Sequence, residues 1–266
     1  MIRSRSGATR RAVSLARALS KLGVCSRTQA FDCIAQGRVA VNGRVSKDAS
    51  LRISLEQDHL VVDGAVVSDV REPIVIALHK PVGYVTTRSD PQRRKTVYDL
   101  LPRLDRFVFP VGRLDKETSG LLILTDDHRL GEALTNPDAH VPKTYEVAVD
   151  RLPDEQGLHA LRHGLDIGKL ETTRRADVVV LEPSSYEPRL RIRIDEGKNR
   201  QIRRMLAAVG LSVRTLSRVA IGGFNLGPLA PGEHRVLSVQ ERRQLQDFPR
   251  CGALAANEAI SDTTRE

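Results

Sequence analysis

Apolar residues recur along the first part of the chain with helical spacing and then with strand spacing. Residues 13–37 predict two short helices, the first ended by Gly23 and the second begun by Ser26 and ended by Gly37. Their apolar positions are Leu15, Ala18, Leu19 and Leu22 in the first helix, and Ala30, Phe31, Cys33 and Ile34 in the second. The dipeptides Asn42-Gly43 and Asp63-Gly64 each interrupt an alternating run, which predicts two β-hairpins. We therefore expect a compact helical and hairpin unit over residues 13–70.

From Ile74 to about Arg243 the pattern changes to strands with interspersed helices. The segments IVIALHKP, KTYEVAVD and LRIRIDEG predict strands, and PDEQGLHALRHGL and RQIRRMLAAVG predict helices. Because these elements do not form repeating βαβ units, we predict an α+β fold with a mixed, mostly antiparallel sheet over residues 74–248. The segment REP at 71–73 is the expected join. We expect residues 1–12 to be a disordered basic arm and residues 249–266 a disordered tail.

The charge of the chain is concentrated near its start. The formal net charge is +9, and residues 1–60 carry eleven Lys and Arg against four Asp and Glu, a net charge of +7. Such an excess favours a polyanionic partner such as RNA or DNA over a generally basic protein. Three cysteines without a C-x-x-C pair, no signal-peptide pattern and no long apolar run predict a soluble cytoplasmic protein with free thiols.

One carboxylate stands out between two strand-like runs. In VGRLDKETSGLLILTDD, residues 111–127, Asp115 follows Arg113 and an apolar Leu114 and precedes Lys116. A solvated turn with a surface ion pair would explain an isolated Asp of this kind. A reactive carboxylate is the other explanation, because a partly desolvated carboxylate stays ionised when a fixed cation lies nearby.

The first unit resembles a known RNA-binding domain. Its segments GVCSR and GRVAVNGR, in order after the first predicted helix, resemble the S4 domain. The resemblance implies that four cations face RNA phosphates: Arg17, Lys21, Arg27 and Arg38. Thr28 stands where many S4 domains have a second basic residue, which predicts weaker binding there. A basic but inert helical hairpin is the alternative.

Four segments of the larger unit also resemble a family. They are HKPVGYVTT (79–87), GRLDKETSGLLILT (112–125), KTYEV (143–147) and EGKNRQIRRMLAAVG (196–210). In this order and behind an S4 domain, they are similar to the RsuA/RluB family of ribosomal RNA pseudouridine synthases, over roughly residues 13–245. The resemblance implies a pseudouridine synthase catalytic domain, in which the uracil base of a uridine is detached from its sugar at N1 and rejoined through C5.

The same resemblance implies roles for particular residues. Asp115 matches the catalytic aspartate, and Arg203 matches the basic residue expected to pair with it. Tyr145 would lie against the base and is the candidate for removing the C5 proton. Arg113 would occupy the space of the extruded nucleotide. Tyr145 as an ordinary strand aromatic and Arg203 on a solvated helix face remain alternatives.

Further residues are expected to bind the substrate. Ile202 and Leu206, on the same predicted helix as Arg203, would close the pocket around the detached base. Lys80 and Lys198 could contact phosphates, although isolated lysines usually solvate a surface.

The reaction needs no redox step and no group donor, so no cofactor is expected, and the chain has no G-x-x-x-x-G-K-[ST] loop. No metal is expected either, because His159 and His163 stand four apart without a third ligand. The expected partner is ribosomal RNA or a pre-ribosomal particle, bound by a monomer away from any membrane. The large-subunit (23S) RNA is the preferred substrate. Small-subunit (16S) RNA, or a non-catalytic S4 assembly factor, are the alternatives.

Overall fold

The computed structural model describes residues 12–55, 57–67, 72–181 and 187–247 of the 266-residue chain. Nearly all of the predicted arm, residues 1–11, and the whole predicted tail, 249–266, lie outside the described residues. Within the described part of the chain, no helix is long and apolar enough to cross a membrane.

The chain divides into two compact units. The first contains the described residues up to Ile74 together with Arg103–Phe109 and Asp126–His128. The second contains Val75–Pro102, Pro110–Thr125 and the described residues from Arg129 onward. The two later segments of the first unit were not part of the predicted boundaries, which assumed that each domain is one continuous stretch.

In the first unit, two helices pack beside short strands. Helices α1 (Leu15–Lys21) and α2 (Arg27–Ala35) bury Leu15, Leu19 and Ile34 in one core. Ser26 begins α2 with a capping box formed with Gln29, because each side chain accepts a hydrogen bond from the other residue's backbone nitrogen. Phe31 is half exposed, so the predicted apolar face of α2 is wrong at this position.

The strands of the first unit form two small sheets. Asn42-Gly43 and Asp63-Gly64 have positive φ at both residues, as type I′ hairpin turns require, and both predicted hairpins are confirmed. One sheet has the order β3-β2-β5-β6 and the other pairs β1 with β4. The strands are β1 (Val13–Ser14), β2 (Val39–Val41), β3 (Arg44–Val45), β4 (Arg52–Ile53), β5 (Leu60–Val62) and β6 (Ala65–Val67).

The second unit is built on a larger sheet. Its main path runs β11-β12-β10-β13-β9-β7-β15, and β14 pairs with β13. Neighbours are antiparallel except β13 and β9, which run parallel, so the predicted mixed, mostly antiparallel sheet is confirmed. The strands from here on are β7 (Val75–Lys80), β8 (Phe109–Pro110), β9 (Ser119–Thr125), β10 (Lys143–Val149), β11 (Asp177–Leu181), β12 (Arg189–Ile194), β13 (Val213–Ile221), β14 (Phe224–Asn225) and β15 (His234–Val236).

Helices α3 (His128–Thr135), α4 (Glu155–His163), α5 (Gln201–Ala208) and α6 (Val239–Gln244) complete the chain, with 3₁₀ turns at Val97–Leu100 and Pro137–Ala139. The predicted helices in PDEQGLHALRHGL and RQIRRMLAAVG correspond to α4 and α5. Both contribute buried side chains, Leu161 and Met205 among them, to a core formed with strands β10–β13. This packing fixes α5, and with it the side chains that α5 presents, against the sheet.

Candidate active site

The loop that carries Asp115 is held by its backbone. Five consecutive carbonyl oxygens, from residue 114 to residue 118, each accept a hydrogen bond from a different donor. The donors are Thr86 Oγ1 to Leu114 (2.9 Å), Thr118 N to Asp115 (3.1 Å), Gly83 N to Lys116 (2.8 Å), Arg203 Nη2 to Glu117 (3.0 Å) and Lys80 Nζ to Thr118 (2.7 Å). The loop is therefore fixed before any substrate arrives, which is the condition for precise placement of a reacting group.

The side-chain carboxylate of Asp115, in contrast, is held more loosely. Its side chain is 36% exposed, and among the described residues no donor lies within hydrogen-bond distance of its oxygens. The nearest cation is Arg200, whose Nη1 lies 3.8 Å from Asp115 Oδ2 and 3.0 Å from Glu117 Oε2. Asp115 is thus an accessible anion on a rigid loop, with a cation close to it but not bonded to it.

Arg203 contacts the same loop, but not through the expected pair with the Asp115 side chain. It was expected to pair with Asp115, whereas its Nη2 donates to the backbone carbonyl of Glu117. Its Nε is buried and has no hydrogen-bond partner within the described ranges. Burial lowers the pKa of Arg203 from its usual value, and the nearby Arg200 charge acts in the same direction, while Glu117 and Asp115 oppose both. Arg203 therefore places a fixed, partly desolvated cation behind the loop.

A row of residues crosses the sheet beside this loop. Tyr145 of β10 pairs with Arg218 of β13, Arg218 pairs with Gly120 of β9, and Gly120 pairs with Lys80 of β7. Directly paired residues of antiparallel strands share one face of a sheet, so the side chains of Tyr145 and Arg218 project to the same side. Tyr145 packs against the core cluster that contains α5. With strands about 4.8 Å apart, Tyr145 lies roughly 10 Å across the sheet from Gly120.

Lys80 is placed differently from its predicted role as a phosphate contact. Its side chain has no exposed surface, and its Nζ donates to the carbonyl oxygens of Pro81 (3.1 Å) and Thr118 (2.7 Å). A buried ammonium directed at backbone carbonyls cannot reach a phosphate. Burial lowers the pKa of Lys80 to about 8, and the Arg218 charge contributes, while Asp115 and Glu117 act in the opposite direction.

This burial predicts a pH-dependent stability. Because the pKa of Lys80 is lower in the folded chain than in the unfolded chain, the unfolded chain binds the extra proton between about pH 8 and pH 10.5. The wild type should therefore gain stability relative to Lys80→Met as pH rises through this window, by up to about 3 kcal/mol. Urea unfolding of both proteins at pH 7, 8, 9 and 10 measures the difference. If the difference in unfolding free energy between the two proteins did not change with pH, the lowered pKa of Lys80 would be contradicted.

The other predicted substrate contacts have mixed outcomes. Arg113 is exposed, as a residue that enters the space of an extruded nucleotide must be. Lys198 pairs with Glu196, so its ammonium is already neutralised. Ile202 and Leu206 are buried in the cluster against which Tyr145 packs, so almost none of their surface is exposed to a substrate in this structure.

Sequence reasoning missed a second basic segment near the site. The loop after β7 contains four exposed cations: Arg88, Arg93, Arg94 and Lys95. Lys95 lies 5.8 Å from the centre of the Tyr84 ring, and Arg94 pairs with Asp90 at 2.7 Å. The same loop donates from Gly83 and Thr86 to the Asp115 loop. The density of Arg and Lys between residues 88 and 95 was the available signal.

In the first unit, the four predicted RNA contacts differ in how exposed they are and in whether a carboxylate already pairs with them. Arg17 and Arg27 are exposed on α1 and α2, and Lys21 is partly exposed in the last turn of α1. Arg38 forms a two-pronged ion pair with Asp63, with its Nε 2.7 Å from Oδ1. This pair raises the pKa of Arg38 and neutralises its charge locally, which leaves Arg17 and Arg27 as the more available cations.

Comparison with known proteins gives a consistent assignment. The family model described as RNA pseudouridylate synthase matches residues 74–208, and the S4 domain model matches residues 13–60. The chain is 33% identical to ribosomal large subunit pseudouridine synthase B of Bacillus subtilis, covering 87% of this chain and 95% of that protein. It is 34% identical to ribosomal small subunit pseudouridine synthase A of Yersinia pestis, covering 77% and 86%.

A solved structure agrees with these relatives. A crystal structure of a pseudouridylate synthase aligns with a TM-score of 0.64 and 30% identity, over 88% of this chain and 99% of that one. Fold, sequence and domain order thus point to the same assignment. The chain belongs to the RNA pseudouridylate synthase family, in its RsuA/RluB branch with an amino-terminal S4 domain.

Proposed function

We propose that the chain converts a specific uridine of ribosomal RNA to pseudouridine, with large-subunit RNA as the preferred substrate. The observation that carries this proposal is the Asp115 loop, in which five backbone carbonyls are held while the carboxylate stays accessible. Membership of the RNA pseudouridylate synthase family supports the reaction. The basic loop at residues 88–95 supports a polyanionic substrate at this unit.

In the proposed reaction, the carboxylate of Asp115 attacks the sugar at C1′ while the N1–C1′ bond breaks and leaves its electron pair on the uracil. The detached base turns, C5 bonds to C1′, and the carboxylate is released. The hydrogen at C5 then leaves as a proton, for which Tyr145 is the proposed acceptor, and N1, which has lost its bond to C1′, takes up a proton. Arg203 balances charge behind the loop, and Arg113 fills the space of the extruded nucleotide.

The choice between the two ribosomal subunits needs an experiment in cells. Pseudouridines in both ribosomal RNAs are mapped by carbodiimide modification and reverse transcription, in cells with and without the gene. We expect one pseudouridine in the large-subunit RNA to disappear and to return with the wild-type gene. Loss in the small-subunit RNA would favour the alternative substrate, and an unchanged map of both RNAs would contradict a ribosomal target.

The S4 unit is proposed to supply affinity through phosphates. We expect Arg27→Ala to weaken RNA binding and to lower the slope of log affinity against log salt by about 0.7 to 0.9, the loss of one phosphate contact. Arg38→Ala should change both quantities less, because Asp63 already occupies its guanidinium. Filter binding to ribosomal RNA at several KCl concentrations measures both variants, and equal effects would contradict this ranking.

A further inference from the structure

Arg200 and Glu117 form an exposed ion pair beside the proposed nucleophile. Arg200 Nη1 lies 3.0 Å from Glu117 Oε2 and 3.8 Å from Asp115 Oδ2, and about half of each of the Arg200 and Glu117 side chains is exposed. Arg200 has a left-handed backbone, with φ 50° and ψ 34°, directly before α5. A left-handed residue other than glycine is costly and persists only where its surroundings require it.

The two arginines of this loop differ in how they can be used. Arg203 has a buried Nε and is bonded to the Glu117 backbone, so it cannot leave without exposing or orphaning polar groups. Within the described residues, the guanidinium of Arg200 is held only by the carboxylates of Glu117 and Asp115, and solvent-accessible ion pairs of this kind contribute little to stability. The guanidinium of Arg200 can therefore exchange partners at little cost.

The charges at the loop create a problem for an RNA substrate. Asp115 and Glu117 place two carboxylates where a nucleotide and its phosphates must approach. Like charges repel at this range, and the effect is strongest where solvent is excluded. A guanidinium that moves from Glu117 to a phosphate would offset part of this repulsion, because the cation would then lie between the carboxylates and the phosphate. The same move would take its charge away from the Asp115 carboxylate.

We propose that Arg200 binds a phosphate of the target nucleotide, and that Glu117 holds its guanidinium beside Asp115 until RNA arrives. This inference rests on the proposed function, since it takes the substrate at Asp115 to be a nucleotide within RNA. Arg200 is then a substrate-positioning residue. Glu117 competes with the phosphate for the Arg200 guanidinium and so lowers the affinity of the protein for RNA.

The test measures RNA affinity and turnover separately. The variants are Arg200→Ala, Arg200→Lys, Glu117→Gln and the Arg200→Ala/Glu117→Gln pair. The probe is in-vitro-transcribed ribosomal RNA carrying tritium at uridine C5. Filter binding between 50 and 300 mM KCl gives affinity and salt slope, and tritium release gives kcat and KM. The Arg191–Glu146 pair is the matched control, because it is a solvent-accessible ion pair of similar length (2.8 Å) in the same unit, between strands β12 and β10.

The expected results follow from one phosphate contact. Arg200→Ala should weaken binding about tenfold and lower the salt slope by about 0.7 to 0.9, while Arg200→Lys should keep the slope. Glu117→Gln should lower KM about threefold with little change in kcat, and this gain should shrink when Arg200 is absent. Arg191→Ala and Glu146→Gln should leave affinity and slope unchanged.

Two results would distinguish a failure of the proposed phosphate contact from a failure of the proposed reaction. A wild-type salt slope in folded Arg200→Ala, with tritium release intact in the wild type, would overturn the phosphate contact alone. If the wild type bound RNA but released no tritium, the proposed reaction would fail. The slope of Arg200→Ala would then still decide whether Arg200 contacts a phosphate, because binding is measured independently of turnover.

Discussion

Asp115→Asn is expected to lower the rate of pseudouridine formation by about 10⁴-fold or more, the scale found when a catalytic nucleophile is removed. The substitution keeps the size of the side chain and removes the charge. The loop should keep its shape, because it is held through five backbone carbonyls and not through the Asp115 carboxylate. RNA affinity should therefore stay within a few-fold of the wild type.

Single-turnover kinetics with excess protein measures this effect without interference from product release. Tyr145→Phe is the natural comparison, because it removes only the proposed proton acceptor and should slow the reaction by about 10²–10⁴-fold. An Asp115→Asn rate within tenfold of the wild type would exclude Asp115 as the nucleophile. Loss of RNA binding together with activity would instead assign Asp115 a role in folding or binding.

Gly120→Ala is expected to destabilise the second unit by about 3 kcal/mol or more, the range for a strained backbone position with no room to relax. Gly120 has φ of 105°, and a Cβ placed there would lie 2.5 Å from the Arg218 nitrogen and closer still to its carbonyl oxygen. The obstacle is backbone of the neighbouring strand, which cannot rotate away. The substitution should separate β9 from β13, which pair in parallel on the main path of this sheet.

Thermal unfolding measures this effect, and a decrease in Tm of roughly 10 °C is expected for a unit of this size. Gly197→Ala is the control, because nothing lies within 4 Å of the added carbon and its φ is not in the left-handed range. Its stability should stay within about 0.5 kcal/mol of the wild type. A Gly120→Ala protein as stable as this control would show that β9 and β13 can move apart without cost.

Local features were predictable where local rules decide them. The Asn42-Gly43 and Asp63-Gly64 hairpins, the Ser26 cap and helix α5 all follow from neighbouring residues, and the structure agrees with each. Asp115 was found because its flanking segment is distinctive, and the accessible carboxylate is compatible with the proposed role. In these places, pattern and structure depend on the same short-range interactions.

The features of the fold and the site that were not predicted depend on contacts between residues that are distant in sequence. Arg200 lies beside Asp115 although 85 positions separate them, and nothing in KNRQIRRM distinguishes its role from that of Arg203. Lys80 looked like a surface cation, yet strand pairing with Gly120 places it in the interior. Phe31 was predicted to be buried from its spacing, but α2 turns it to solvent. Side-chain partners of this kind follow from packing, which periodicity does not encode.

The most direct test of the central claim is tritium release by the purified wild-type chain from ribosomal RNA labelled at uridine C5. Forming the C5–C1′ bond must displace that hydrogen, so release reports the isomerisation itself. We predict one equivalent of tritium per RNA molecule, accompanied by one new pseudouridine in the same RNA. Absence of release from free RNA, and also from pre-ribosomal particles of cells lacking the gene, would contradict the assignment of this reaction to the chain.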